Sequence, residues 1–393
     1  MTDRNDTLQK LAQEYKQETG IEVEVQLFAP SDAYSQKIIA AGQADALPEI
    51  YGVLDKKSIV SFFIKAGLVV DLTADMEADN ARWQNSLFDK ALADKRFDPG
   101  NSYDVKPGIY GVPIDVTNLQ MLYNKKLLSK AGIAAPPKTY EEFIKDAQML
   151  KRVGITPFVS GWGELWMLDC FASNYAFNIM GQDKVFDTFR GKVKYTDPDW
   201  IKVFSLFADM RDKGVFMDGI VTKGNKYAEQ DFALERVAFA FNGSWCVNVY
   251  HDMNPNLDYG VIPPPPVSTA AYPLKIWGSA GSTFVVNGHS PNEDKAVAFL
   301  KWLTSRDQQV ILSEETHNLP SNKEALAVIS PVLGEFAKGM DQSTHPNVWP
   351  LNEDPLVSEA LDRGIQAIII GEKTPEQVAL EVQKVKDDHE PKT

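Results

Sequence analysis

Five tryptophans stand where the backbone turns rather than on helix faces. Trp162 and Trp166 follow the apolar run 156–159, Trp245 follows another at 237–241, Trp277 precedes a Gly/Ser stretch, and Trp349 lies between Pro346 and Pro350. A core aromatic sits inside an apolar repeat, whereas these adjoin Gly, Ser, Asn and Pro. An indole face accepts the C–H face of a pyranose, while nearby Asp, Glu, Asn and Ser suit its rim of hydroxyls, so stacking and hydrogen bonds together supply affinity and orientation. The competing reading makes these tryptophans the plugs at the ends of cores.

Signatures of catalysis are sparse. The sequence has no G-x-S-x-G elbow and no Walker loop, and Gly161-Trp162-Gly163 runs into Glu164, Leu165 and Trp166 without the last glycine of a dinucleotide fingerprint. His251, His289, His317, His345 and His389 are scattered singly, the pattern of surface or core histidines rather than of a catalytic set. With 54 carboxylates, some pair at glycosidase spacing is expected in any fold, so counting neither argues for nor removes a carbohydrate-active enzyme. An aromatic and acidic surface also suits a cation, which keeps a receptor for a non-sugar cationic solute as an alternative.

At 393 residues the chain exceeds the length at which one core usually stops growing, and 44% hydrophobic residues suffice for two. A net charge of −14 argues against nucleic acid or an anionic membrane as partner. Cys170 and Cys246 are too few for a disulfide framework or a zinc site and read as buried apolar side chains. Neither a cofactor nor a metal is expected. No apolar run reaches spanning length. Asp3, Arg4, Asn5 and Asp6 near Met1 rule out a signal peptide in the sequence as written, which fits either a cytoplasmic protein or a processed form.

The elements follow an α/β rhythm. Leu8, Leu11, Ala12 and Tyr15 make one helix face closed by Gly20, and Ile21, Val23, Val25 and Leu27 alternate with polar residues as a half-buried strand. Asp32 is placed to cap a helix through Ile38 and Ile39, residues 48–54 return as a strand, and 56–67 form a helix. Gly111 and Pro113 make one uninterrupted strand through 108–128 improbable; the stretch is expected to break and change sheets. Thr139/Glu142, Ser290/Glu293 and Thr374/Gln377 carry capping-box spacing. Ser244 is expected as a helix N-cap that sets Trp245 at the end of a strand, where ligands gather in open α/β sheets.

Several segments in order resemble the extracellular solute-binding proteins of bacterial sugar ABC transporters, the group that includes maltose-binding protein. They are Phe63-Ile64-Lys65-Ala66-Gly67-Leu68-Val69-Val70-Asp71-Leu72, Tyr110-Gly111-Val112-Pro113 with Leu122-Tyr123-Asn124-Lys125, Phe239 to Trp245, and Leu319-Pro320-Ser321-Asn322. The resemblance implies a two-lobe periplasmic-binding-protein-like α/β fold of type II, with lobes of 1–115 plus 280–322 and 116–279 plus 323–393. Hinge strands would join the lobes, which would close on a mono- or oligosaccharide and deliver it to the membrane permease. It further implies a non-enzymatic, extracytoplasmic monomer. Carried over singly, Asp115 and Thr117 would contact hydroxyls, Trp245 would stack, Asn242 would lie beside it and Gly243 would allow close approach. Trp162, Glu164 and Trp166 would face the ligand from the second lobe, Trp277, Ser282 and Trp349 from near the remaining hinges, and Asp32, Tyr34 and Asp55 from first-lobe loops. The family opens with a strand before its first helix, whereas this sequence opens on the helix. Either further residues precede Met1 or another segment is expected to take the strand's place.

Overall fold

The computed structural model describes residues 4–28, 31–52, 57–344 and 353–389. The chain divides into two compact α/β units, one of Met1–Thr117 and Ser279–Ala337, the other of Asn118–Gly278 and Lys338–Thr393. It passes between them three times, twice within single strands, Val112–Asn124 and Ile276–Val286. The expected boundary at 322 falls elsewhere, because 323–337 stay with the first unit. Asn322 explains this: its side chain accepts from Glu324 N (2.9 Å) and donates to Thr304 O (2.9 Å), tying the following turn to the first unit.

In the first unit, helix Asn5–Thr19 buries Leu8, Leu11, Ala12 and Tyr15, the face their spacing predicts, and ends at Gly20 with φ 75°. The next segment departs from expectation. Ile21, Val23 and Val25 pack half-buried on the core that holds Leu11, Leu72 and Leu300, and Glu22, Glu24 and Gln26 are exposed, yet 21–28 join no ladder among the described residues. Alternation specifies a buried face; it does not specify a neighbour. Ile50–Gly52 pairs antiparallel with Phe284–Val286, and Asp115–Val116 with Leu319–Pro320.

The stretch expected to break does so only at Tyr110-Gly111. Val112–Asn124 is one strand that changes partners while its backbone continues. Pro113 is its second residue, where a missing N–H costs little. Gly111 is there for space, since a Cβ would lie 2.8 Å from Thr283 Cγ2 and 2.9 Å from Lys95 Cγ.

In the second unit the sheet order is Thr156–Ser160, Val237–Gly243, Val112–Asn124 (by its residues from Leu119 on), then Tyr259–Ile262; only the first pairing is parallel. All seven residues of Val237–Gly243 are buried, as a strand covered on both faces requires. Helices Tyr140–Arg152, Leu165–Phe189, Pro198–Asp212, Pro355–Ile369 and Pro375–His389 bring Phe143, Phe171, Trp200, Phe207, Ile365 and Val378 into the core. Cys170 and Cys246 are buried and unpaired.

Two of the three capping signals start helices. Thr374 Oγ1 accepts from Gln377 N (3.3 Å) while Gln377 Oε1 accepts from Thr374 N (2.9 Å), a complete box. Thr139 Oγ1 accepts from Glu142 N (3.2 Å), but Glu142 turns to Lys138 N (2.7 Å). Ser290 instead accepts from Asn292 N (3.1 Å) in a turn, and the helix begins at Glu293.

Candidate ligand-binding site

The turn after Thr156–Ser160 separates residues that the sequence grouped. Trp162 is fully buried, with ring centroids of Phe158, Phe171, Phe216 and Phe207 at 5.4, 5.2, 5.3 and 6.0 Å. Its ring lies against Phe158, four residues earlier, so it extends the strand's inward face. That corrects the expectation of a ligand-facing indole: no sugar face reaches a ring enclosed by four others. Trp166 differs, being 41% exposed at the start of helix Leu165–Phe189. Its Nε1 donates to Glu164 Oε2 (3.0 Å), and Glu164 Oε1 accepts from Asn225 N (2.7 Å).

Trp245 leaves the end of Val237–Gly243 half-buried. The helix Cys246–Met253 has Trp245 at its cap position, one residue later than the expected Ser244, and the indole makes no capping bond. The Trp245 indole folds back over Gly243, where a Cβ would meet Cζ3, Cη2 and Cε3 of the ring at 2.0, 2.2 and 2.4 Å. The close approach foreseen at Gly243 is therefore made by the chain's own tryptophan. The Trp166 and Trp245 rings lie 5.9 Å apart, tilted by 48°.

Beneath this pair sits a residue that sequence reasoning missed. Glu229, 1% exposed on helix Asn225–Ala233, accepts at Oε1 from Asn225 Nδ2 (3.0 Å), Asn242 Nδ2 (3.2 Å) and Trp245 Nε1 (3.2 Å). Its Oε2 lies 3.1 Å from Lys226 Nζ, whose side chain is 76% exposed. A signal was available, because Asn225, Ala228, Glu229 and Phe232 fall at helical spacing and put an acid on an apolar face. Asn242 also accepts from Gly243 N (2.8 Å), which fixes its amide. With both indole N–H groups bound to carboxylates, the rings present apolar faces with Glu164 beside one and the Glu229–Lys226 pair beside the other. Such a surface binds a flat C–H face with a polar rim.

The remaining expected residues are placed as follows. Trp277 is half-buried against the second unit's core, its backbone paired with Thr344. Thr117 and Ser282 are half-buried in the first unit. Asp115 is 1% exposed, with Oδ2 2.5 Å from Arg4 Nε, so the first unit itself compensates its charge. The Tyr34 hydroxyl clamps Gly52, donating to its O and accepting from its N, both at 2.9 Å, and burial raises its pKa. The Asp32 side chain, Asp55 and Trp349 lie outside the described residues. Among the described residues no group of three or more His, Cys, Asp and Glu is arranged to hold a metal.

The helix that presents Trp166 is backed by a pair of buried acids. Asp169 on it and Asp362 on helix Pro355–Ile369 are each 3% exposed. Burial pushes the Asp362 carboxyl well above the usual carboxylate range, and Asp169 adds repulsion and a hydrogen bond; Glu359 reinforces the shift and Arg363 opposes it. The unfolded chain loses this proton near a pKa of about 4. The resulting stability is thus full below that pH and is lost as pH rises through the folded value. Asp362→Asn is expected to melt above the parent at neutral pH, with the gap closing toward acid, in thermal melts across pH. A gap independent of pH would refute this.

Comparison with known proteins adds to the geometry. A family model described as bacterial extracellular solute-binding protein matches residues 1–310. A putative binding protein of Brucella abortus is 24% identical over 293 residues, 68% of this chain, and the match spans 65% of that protein's length. The sn-glycerol-3-phosphate-binding periplasmic protein of Yersinia enterocolitica is 25% identical over 86% of this chain and 77% of its own. The melibiose/raffinose/stachyose-binding protein of Bacillus subtilis is 24% identical over 80% and 70%. A solved chitin oligosaccharide binding protein superposes with a TM-score of 0.76 at 23% identity, covering 98% of this chain and 94% of its own.

Proposed function

The chain belongs to the bacterial extracellular solute-binding protein family, and from that premise we propose that it is a non-enzymatic carbohydrate receptor of an ABC import system. It binds a sugar or oligosaccharide outside the cytoplasm and delivers it to the membrane permease. The observation that carries this reading is the Trp166–Trp245 pair, whose N–H groups are held by Glu164 and Glu229 so that ring faces are offered to the ligand. Two of the similar proteins carry oligosaccharides in their names. No described helix is long and apolar enough to cross a membrane.

The glycerol phosphate named for the Yersinia relative fits this surface less well. A phosphate there would meet two carboxylates, and the ammonium of Lys226 is already bound to Glu229. A carbohydrate-active enzyme would need a carboxylate pair placed as acid and as nucleophile or base, whereas Glu164 and Glu229 each hold an indole N–H, a positioning role. The test is a panel of di- to tetrasaccharides, sn-glycerol 3-phosphate and quaternary amines, read by thermal shift and tryptophan fluorescence. At least one glycan is expected to stabilise the protein by about 2.7 kcal/mol at 100 times its dissociation constant and to be recovered unchanged. A shift with the phosphate or an amine and with no glycan would overturn the reading, as would turnover of the glycan.

A further inference from the structure

Three of the four groups on the Glu229 carboxylate are neutral N–H donors from separate places: Asn225 at a helix start, Asn242 at a strand end and Trp245 in the turn beyond it. Burying a carboxylate so deeply is costly unless its lone pairs are filled. Its neighbours on the same face, Ala228 and Phe232, are apolar, so packing alone would be served by another apolar side chain. What the charge adds is direction. An indole has one N–H, in the ring plane, and a charged acceptor there fixes the ring's rotation more firmly than a neutral one. The ring's other restraints are Gly243 beneath it and Trp166 beside it, contacts along which a flat ring slides at little cost.

We propose that Glu229 is the positioning residue of the binding surface: without touching ligand, it sets the angle at which Trp245 meets it. Asn225 and Asn242 hold the carboxylate on one side and Lys226 on the other. The proposal rests on the receptor reading for its ligand, but its geometry stands in the unliganded chain.

A double-mutant cycle of Glu229→Gln and Trp245→Phe tests it, using the best glycan from the panel as probe. Glu229→Gln is close to isosteric, and phenylalanine, a smaller ring, keeps an aromatic face while removing the N–H that Glu229 holds. Glu229→Gln is expected to weaken glycan binding about threefold in the Trp245 chain, a neutral acceptor replacing a charged one, and to have no measurable effect in the W245F background. The near-UV circular dichroism of the unliganded protein should follow the same pattern, because the Trp166–Trp245 couplet depends on ring angle. An equal loss in both backgrounds, or none in either, would overturn the proposal; the first would mean that Glu229 meets the ligand directly or acts through the fold. If the wild-type chain binds no glycan, the receptor reading fails. The dichroism cycle then decides the positioning role on its own.

Discussion

Trp162→Ala is expected to lower the unfolding free energy of the second unit by about 3–5 kcal/mol, the usual cost of removing a large ring from a packed core. Four aromatic rings surround it at centroid distances of 5.2 to 6.0 Å, and they cannot all collapse into the space left. Glycan affinity of the fraction that stays folded should remain within about twofold, since Trp162 is fully buried. Trp162→Phe should be milder, because its Nε1 has no acceptor among the described residues and phenylalanine removes that unpaired donor. Urea melts and a binding isotherm check both parts. A stable Ala variant that binds weakly would return Trp162 to the ligand surface.

Gly243→Ala is expected to do the reverse. Its Cβ would lie 2.0 Å from Cζ3 of Trp245, so the ring must swing away and lose its bond to Glu229. The benzo edge it meets belongs to a half-buried side chain, and Glu229 keeps its other three partners, so stability should fall by about 1–2 kcal/mol. Affinity should fall roughly thirtyfold, about 2 kcal/mol, as for loss of a central aromatic contact. Calorimetric titration beside a thermal melt measures both. Unchanged affinity would mean that this face of Trp245 meets no ligand.

Much of the architecture was legible because it rests on local rules. Leu8, Leu11, Ala12 and Tyr15 repeat at helical spacing, Thr374 and Gln377 cap each other, and Val237 to Phe241 form an apolar run that only a covered strand can use. Sequence reading failed where the deciding partner is far along the chain. Ile21 to Val25 show which face is buried, but alternation does not supply a ladder partner, and among the described residues they have none. Asp115 looked available for a ligand because Arg4, 111 positions earlier, gives no local sign of reaching it. Trp166 and Trp245 could be named from their turning contexts, and the structure sets their rings side by side; Glu164, Asn242 and Gly243, which the family resemblance supplied, lie next to them, the last two buried. Trp162 shares that context and lies inside, since neighbouring glycines show that the chain turns without showing which way a ring points. Glu229 escaped notice because a carboxylate on a short helix usually marks a solvated face; its place on the apolar face of Ala228 and Phe232 was the overlooked sign, and its three N–H donors show how the charge is held there.

The interleaving of the two units bears on the order in which they can be completed. Ile50–Gly52 finds its ladder partner in Phe284–Val286, more than two hundred residues downstream. The second unit in turn awaits helices Pro355–Ile369 and Pro375–His389, which bury Ile365, Ile368, Val378 and Val382 in its core. A chain emerging from its N-terminus can therefore close neither core until most of it has been made. Pairings this distant in sequence are formed slowly, because the loop entropy is lost before the contacts are gained. Apolar strands remain uncovered in the meantime, and a nascent chain of this topology stays open and threadable for nearly the whole of its synthesis.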